Sequence, residues 1–129
     1  MERATGIGGV FLRAQDPKAL QGWYEQHFGL QPEADGCVVF RCNERATRAN
    51  ASTVWAPFDA DTDYFGSREQ KAMVNYRVND LDAMLAQLRA AGAIVDSRIE
   101  DSEYGKFGWA TDPEGNRLEP WQPPPTEEA

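Results

Sequence analysis

The feature that most narrows what this chain can fold into is an internal repeat. The segment GGVFLRAQDPKALQGWYEQHFGL, Gly8 to Leu30, and the segment AMVNYRVNDLDAMLAQLRAAGAIV, Ala72 to Val95, follow one pattern. Setting Asp16 on Asp80 gives an offset of 80 − 16 = 64 residues, at which Val10 meets Val74, Arg13 meets Arg77 and Ala19 meets Ala83. Gly29 meets Gly92 after a slip of one residue. A repeated pattern of this kind signals one supersecondary unit used more than once.

Each copy reads as a strand, a capped helix and a stop. Val10-Phe11-Leu12 and Val74 to Val78 are β-rich, the second alternating at period two. Asp16 before Pro17 supplies a carboxylate cap and a proline at the first helical turn, and Asp80 is placed to do the same. Leu20, Trp23, Tyr24 and His27-Phe28 recur at helical spacing, as do Leu81, Met84-Leu85 and Leu88. Gly29 and Gly92 fall where a helix end needs a left-handed residue. Strands are expected next at about 37–42 and 52–57 in the first copy, and at 94–99, 106–111 and 117–121 in the second. Asp112-Pro-Glu-Gly-Asn116 is a dense turn signal joining the last two as a hairpin.

The expected architecture is therefore α+β: two tandem βαβββ modules whose mixed sheet curls into a cup with the helices outside. A single domain spans about 1–122, with module one at 6–58, a linker loop at 59–70 and module two at 71–122. The 129 residues suit one domain of this size. Residues 123–129, PPPTEEA, have no apolar side chain large enough to bury and read as a flexible tail.

Composition excludes several classes of partner. With 13 Lys+Arg against 21 Asp+Glu the net charge is −8, which disfavours nucleic acid and anionic membrane surfaces. The solitary His27 lies at the end of the first helix, so a His-rich metal site or a Ser-His-Asp triad is not expected. Cys37 and Cys42, five apart on one straight strand, point to opposite faces and form neither a disulfide nor a metal pair. No basic segment leads into a long apolar run, and free cysteines suit a reducing compartment, so the expected setting is cytoplasmic.

The order of WYEQHFGL, YRVNDLDAMLAQLRAAG and YGKFGWATDPEGNRLEPW resembles the vicinal oxygen chelate superfamily of glyoxalase I, the bleomycin-resistance proteins and the extradiol dioxygenases, over about Ile7 to Trp121. The resemblance implies a cup built from two modules, often completed in a homodimer, with metal ligands on the first strand and a later strand of each. On this sequence those positions are Gly9, Met73, Glu119 and, by 119 − 64 = 55, Trp55. Only Glu119 is a metal-ligating type, whereas Zn or Ni sites use three or four protein ligands. No cofactor is therefore expected, a divalent metal being the minor alternative.

Strand alternation assigns the cup face. Phe11 and Arg13 share the parity of Gly9, Asn75 and Arg77 that of Met73, and Trp121 that of Glu119. The expected substrate-binding set is Phe11, Arg13, Trp55, Met73, Asn75, Arg77, Trp109 and Trp121, with Glu119 as candidate catalytic base. Each has a bland alternative: Glu119 paired with Arg13 or Arg77, the tryptophans as core, Tyr64, Phe65 and Tyr104 as loop packing. Two functions follow. One is a bleomycin-resistance-like module binding a small aromatic or cationic molecule. The alternative is a metal-dependent lyase or isomerase of glyoxalase type that uses Glu119.

Overall fold

The computed structural model describes residues 1–41 and 52–125. Cys42 and residues 126–129 of the tail lie outside the described residues. The first module contributes β1 (Ala4–Ala14), α1 (Pro17–Phe28), β2 (Val38–Arg41) and β3 (Ser52–Asp59). The second contributes β4 (Ala72–Val78), α2 (Leu81–Ala90), β5 (Ile94–Val95), β6 (Glu100–Ser102), β7 (Gly105–Phe107), β8 (Ala110–Thr111) and β9 (Arg117–Gln122).

The capping chemistry acts as the sequence implies. Asp16 accepts from the Ala19 amide at 3.1 Å with Pro17 opening α1, and Asp80 accepts from the Ala83 amide at 3.0 Å. Gly29 ends α1 at φ 71°, and the positive φ after α2 falls on Gly92, one residue past its cap. Each Asp satisfies an amide that the first helical turn leaves without a partner.

The modules join within one chain, through their first strands. The main sheet runs β2-β3-β1-β4-β9-β7-β6, with β1 antiparallel to β4, and with β3 and β9 parallel to β1 and β4 respectively. The two modules are thus related about the β1–β4 ladder, where Val10 lies opposite Val74. One face of this mixed sheet carries the helices. Under α2, Val78, Leu81 and Leu85 form a buried cluster with Met84, Leu88 and Val95 around it. Under α1, Tyr24 meets Trp55 with ring centroids 4.8 Å apart.

The second module departs from the expected three strands. The stretch 106–111 breaks into β7 and β8 although its register against β9 is unchanged: the Gly108 amide still donates to the Pro120 carbonyl at 3.0 Å, but proline has no N–H to return the bond. Leu85 and Leu81 of α2 lie close to Gly108, at 2.9 and 3.6 Å from where a Cβ would stand, so a side chain there would push the Leu85 methyls aside. The stretch expected as a strand at 94–99 is only the two-residue β5, and β6 starts at Glu100 to form a hairpin with β7. The hairpin across Asp112–Asn116 forms as expected, with Ala110 opposite Leu118 and Thr111 opposite Arg117.

Candidate functional site

The concave face of the sheet can be read in rows from the strand registers. One row runs Val39, Val54, Gly9, Asn75, Glu119, and the next holds Ala56, Phe11 and Met73. At the far end of the second module, Phe107 lies opposite Trp121 across β7 and β9, their rings stacked at 6.1 Å. Alternation puts these side chains on one surface, as the period-two argument requires.

Half of this surface is solid. The linker loop folds inward, so that Phe65 is fully buried against Met73 and Trp109, with Phe11, Phe58, Tyr64 and Phe107 around them. Arg13 fastens the loop: its guanidinium donates to the carbonyl oxygens of Gln70 (3.1 Å), Ala60 (2.8 Å), Thr62 (2.7 Å) and Ser67 (3.0 Å) and lies 5.0 Å from the Phe65 ring. The planar fork of an arginine suits this spread of acceptors.

Glu119 sits inside the solid half, with no exposed surface. Its carboxylate accepts from the Tyr64 hydroxyl, from Asn75 Nδ2 at 2.6 Å and from Trp109 Nε1 at 3.0 Å. Burial raises the Glu119 carboxyl above its ordinary value, while the three donors act the other way by favouring the ionised form. The Tyr64 hydroxyl is raised as well, by burial first and by Glu119 second.

The open half is a cavity of about 520 Å³. Five rings line it: Phe11, Phe58, Tyr104, Phe107 and Trp121. Val39, Val54 and Ala56 complete an apolar wall, Asn75 reaches it from β4, and Cys37 from the start of β2. The acidic residues Asp35 and Glu103 also line it, and no lysine, arginine or histidine is among its described lining residues. Burial pushes the Cys37 thiol up to about 11, with Asp35 acting in the same direction.

The expected site residues are thus divided. Phe11, Asn75 and Trp121 line the cavity. Met73, Trp109 and Glu119 lie buried behind its wall, and Arg13 is spent on the linker. Arg77 lies across Gly6 and donates to the Ser52 carbonyl at 3.1 Å, at the edge of the cup. Trp55 is corrected: it packs against Tyr24 on the helix side of the sheet. The β4–β9 register pairs Asn75 with Glu119, and β1–β3 pairs Phe11, the repeat mate of Asn75, with Ala56. The mate of Glu119 is therefore Ala56, an offset of 119 − 56 = 63, and that one-residue slip turns a side chain to the other face. Gly9 keeps its place in the row with Val54 and Asn75, and the β1–β4 register shift between Ile7 and Gly9 brings Gly8 to the cavity beside it. An ion pair of Glu119 with Arg13 or Arg77 does not form, because both arginines bond backbone carbonyls elsewhere.

Sequence reasoning did not mark Asp35, Glu103, Phe58, Val39 or Val54 as site residues. Alternation from Phe11 through an aligned third strand would have reached Val54, Ala56 and Phe58. Nothing local distinguishes Asp35 and Glu103 from other loop acids.

The donor set does not fit a metal of the kind the resemblance implies. Among the described residues no three His, Cys, Asp or Glu side chains converge. Both oxygens of Glu119 are already engaged, by three donors that are neutral side chains. A hard or borderline cation needs several anionic or imidazole donors with free lone pairs, and here one carboxylate stands alone.

Comparison with known proteins places this geometry in context. The family model described as a glyoxalase-like domain matches residues 9–119. No curated protein matches the sequence. Among solved structures, a Streptomyces coelicolor methylmalonyl-CoA epimerase variant in complex with 2-nitronate-propionyl-CoA is similar over 95% of this chain and 100% of its own, with TM-score 0.71 and 12% identity. A glyoxalase/bleomycin resistance protein/dioxygenase superfamily member from Vibrio splendidus 12B01 covers 95% and 99%, at 0.57 and 15%. The Mn(II)-bound glyoxalase from Novosphingobium aromaticivorans is matched over 95% of this chain but 40% of its own, at 0.62 and 19%. At these identities the likeness speaks for the fold alone. No helix of the described residues is long and apolar enough to cross a membrane.

Proposed function

The chain belongs to the glyoxalase-like domain family of the vicinal oxygen chelate superfamily, and from that premise we propose that it binds a small aromatic molecule of neutral or positive charge in the cup. The observation that carries the reading is the lining of the 520 Å³ cavity: five aromatic rings, two acids and no cation among its described lining residues. A pocket of that size with an apolar wall and a few polar groups matches the usual build of a small-molecule site. Aromatic faces attract cations through their quadrupole, and the two acidic lining residues add to the same potential. A CoA ester, such as that held by the epimerase neighbour, carries several phosphate charges for which the described lining residues offer no partner.

The reading requires no chemistry at Glu119, whose three hydrogen bonds suit a structural anchor. The homodimer implied by the family resemblance is part of the same proposal. Both modules of one chain already wall the cavity, and sedimentation equilibrium reads the oligomeric state.

Thermal shift and tryptophan quenching with three compounds test the binding reading. Tryptamine should raise the melting temperature and quench Trp121, whereas indole-3-acetate and acetyl-CoA should do neither. A null response to tryptamine, or an equal response to the two indoles, would sink it. Adding Ni, Mn or Zn to chelator-treated protein should leave the melting temperature unchanged.

A further inference from the structure

Asn75 is 3% exposed, and its Oδ1 is the one buried side-chain polar atom among the described residues without a hydrogen-bond partner. Its orientation is dictated by its neighbour. An ionised carboxylate only accepts, so the amide nitrogen must face Glu119 and the oxygen must face away. Asn75 lines the cavity, as do Gly8 and Trp121, and the oxygen lies beside Gly8. A Cβ at residue 8 would press into Oδ1 and stand 2.8 Å from Trp121 Cε3, so the absence of a side chain there is what leaves the oxygen free. The Trp121 side chain, on the other side of that Cβ position, makes one hydrogen bond, from Nε1 to the backbone oxygen of exposed Tyr104 at 2.8 Å.

We propose that Asn75 Oδ1 is the polar anchor of the cavity, accepting a hydrogen bond from an N–H group carried on the ring of an aromatic ligand once the edge of Trp121 moves aside. This rests on the reading of the cavity as a ligand site and adds to it the side of the guest that faces inward. An unpaired buried acceptor costs the protein the full desolvation of that group, so a guest that supplies the donor recovers it. Sites built in this way discriminate sharply between guests that differ in one hydrogen-bonding group. The ligand class is therefore a flat N–H heteroaromatic with its ring nitrogen at the Asn75 end and any positive charge toward Asp35 and Glu103.

The test compares tryptamine with 2-(benzofuran-3-yl)ethylamine, which keeps the ammonium and the shape but replaces the ring N–H by oxygen. Calorimetric titration of the full chain should give tryptamine a Kd about tenfold lower, from the recovered hydrogen bond. In 15N-labelled protein, the Asn75 side-chain amide signals should move with tryptamine and stay in place with the benzofuran. Gly8→Ala, which fills the approach to Oδ1, should bring the two affinities together. Equal affinities for wild-type protein would overturn the anchor while leaving the aromatic pocket standing; binding of neither amine would overturn both. If Gly8→Ala does not fold, the wild-type ratio and the amide signals decide alone.

Discussion

Asn75 and Glu119 are register partners on the adjacent parallel strands β4 and β9, and Asn75 Nδ2 donates to Glu119 Oε1 at 2.6 Å. This contact is the seam between the two halves of the cup. On one side Glu119 gathers Tyr64 from the linker and Trp109 from the stretch between β7 and β8. On the other side Asn75 lines the cavity, its oxygen buried without a partner. A single carboxylate therefore ties loop, sheet and pocket wall together.

Replacing Glu119 by Leu strands three donors in a dry interior. Each buried unsatisfied donor costs about 1–3 kcal/mol, partly offset because a buried charge is also removed, so Glu119→Leu should destabilise by about 2–4 kcal/mol. Urea denaturation measures this. A loss under about 1 kcal/mol would show that the three bonds contribute little beyond the desolvation they offset.

The pH dependence has a definite sign. The Glu119 carboxyl titrates higher folded than unfolded, so the folded state holds its proton more tightly. Its penalty is absent below the ordinary value of 4.5, grows as pH rises from there toward the folded value, and is constant above it. Glu119→Gln cannot titrate, and Asn75 can turn its amide to accept from the new nitrogen. The stability of the Gln variant relative to wild type should therefore climb as pH rises from 4.5 and then level off. Parallel stability curves for the two proteins between acid and neutral pH would contradict the shift.

Arg13 and Arg77 are mates in the repeat yet do unequal work. Arg13 holds four carbonyl oxygens of the linker, Arg77 one on β3. A lysine cannot reproduce the planar fork, so Arg13→Lys should cost about 2 kcal/mol and Arg77→Lys under about 1 kcal/mol. Hydrogen exchange should also quicken across residues 60–70 in the first variant and not in the second. Equal losses would mean the linker is held by Phe65 rather than by the guanidinium.

Cys37 should be a sluggish thiol. With its pKa pushed up to about 11, little thiolate exists at pH 8. Alkylation followed by peptide mapping, on a Cys42→Ser background, should give a rate on the order of 100-fold below that of an unperturbed cysteine. A ligand in the cavity should slow it further, since Cys37 lines the wall. Rapid alkylation unaffected by ligand would place the thiol outside the pocket.

Much of the frame is legible in the chain because it is written in short-range patterns. The Asp caps, the glycine stops, the period-two runs and the 64-residue offset each act within a few residues or compare two such stretches. The offset even marks the pairing of the modules, since the residues it equates, Val10 and Val74, lie opposite each other in the β1–β4 ladder. Phe11, Asn75 and Trp121, which parity assigns to the cup face, are among the residues that line the cavity. It failed for Trp55 because the connections inside the two modules differ by one residue, and alternation has no tolerance for a shift of one.

The two strand–helix–strand modules and their caps are written in the sequence alone, whose family resemblance led further to the expectation of an incomplete chelating set. What fills the cup is set by long-range packing. Whether Phe65 plugs it, whether Glu119 faces ligand or core, and which loop acids reach the rim depend on contacts between residues far apart in the chain, such as Tyr64 with Glu119 and Arg13 with Ser67. No local propensity encodes such contacts; they follow from which apolar side chains can be buried together once the strands have aligned.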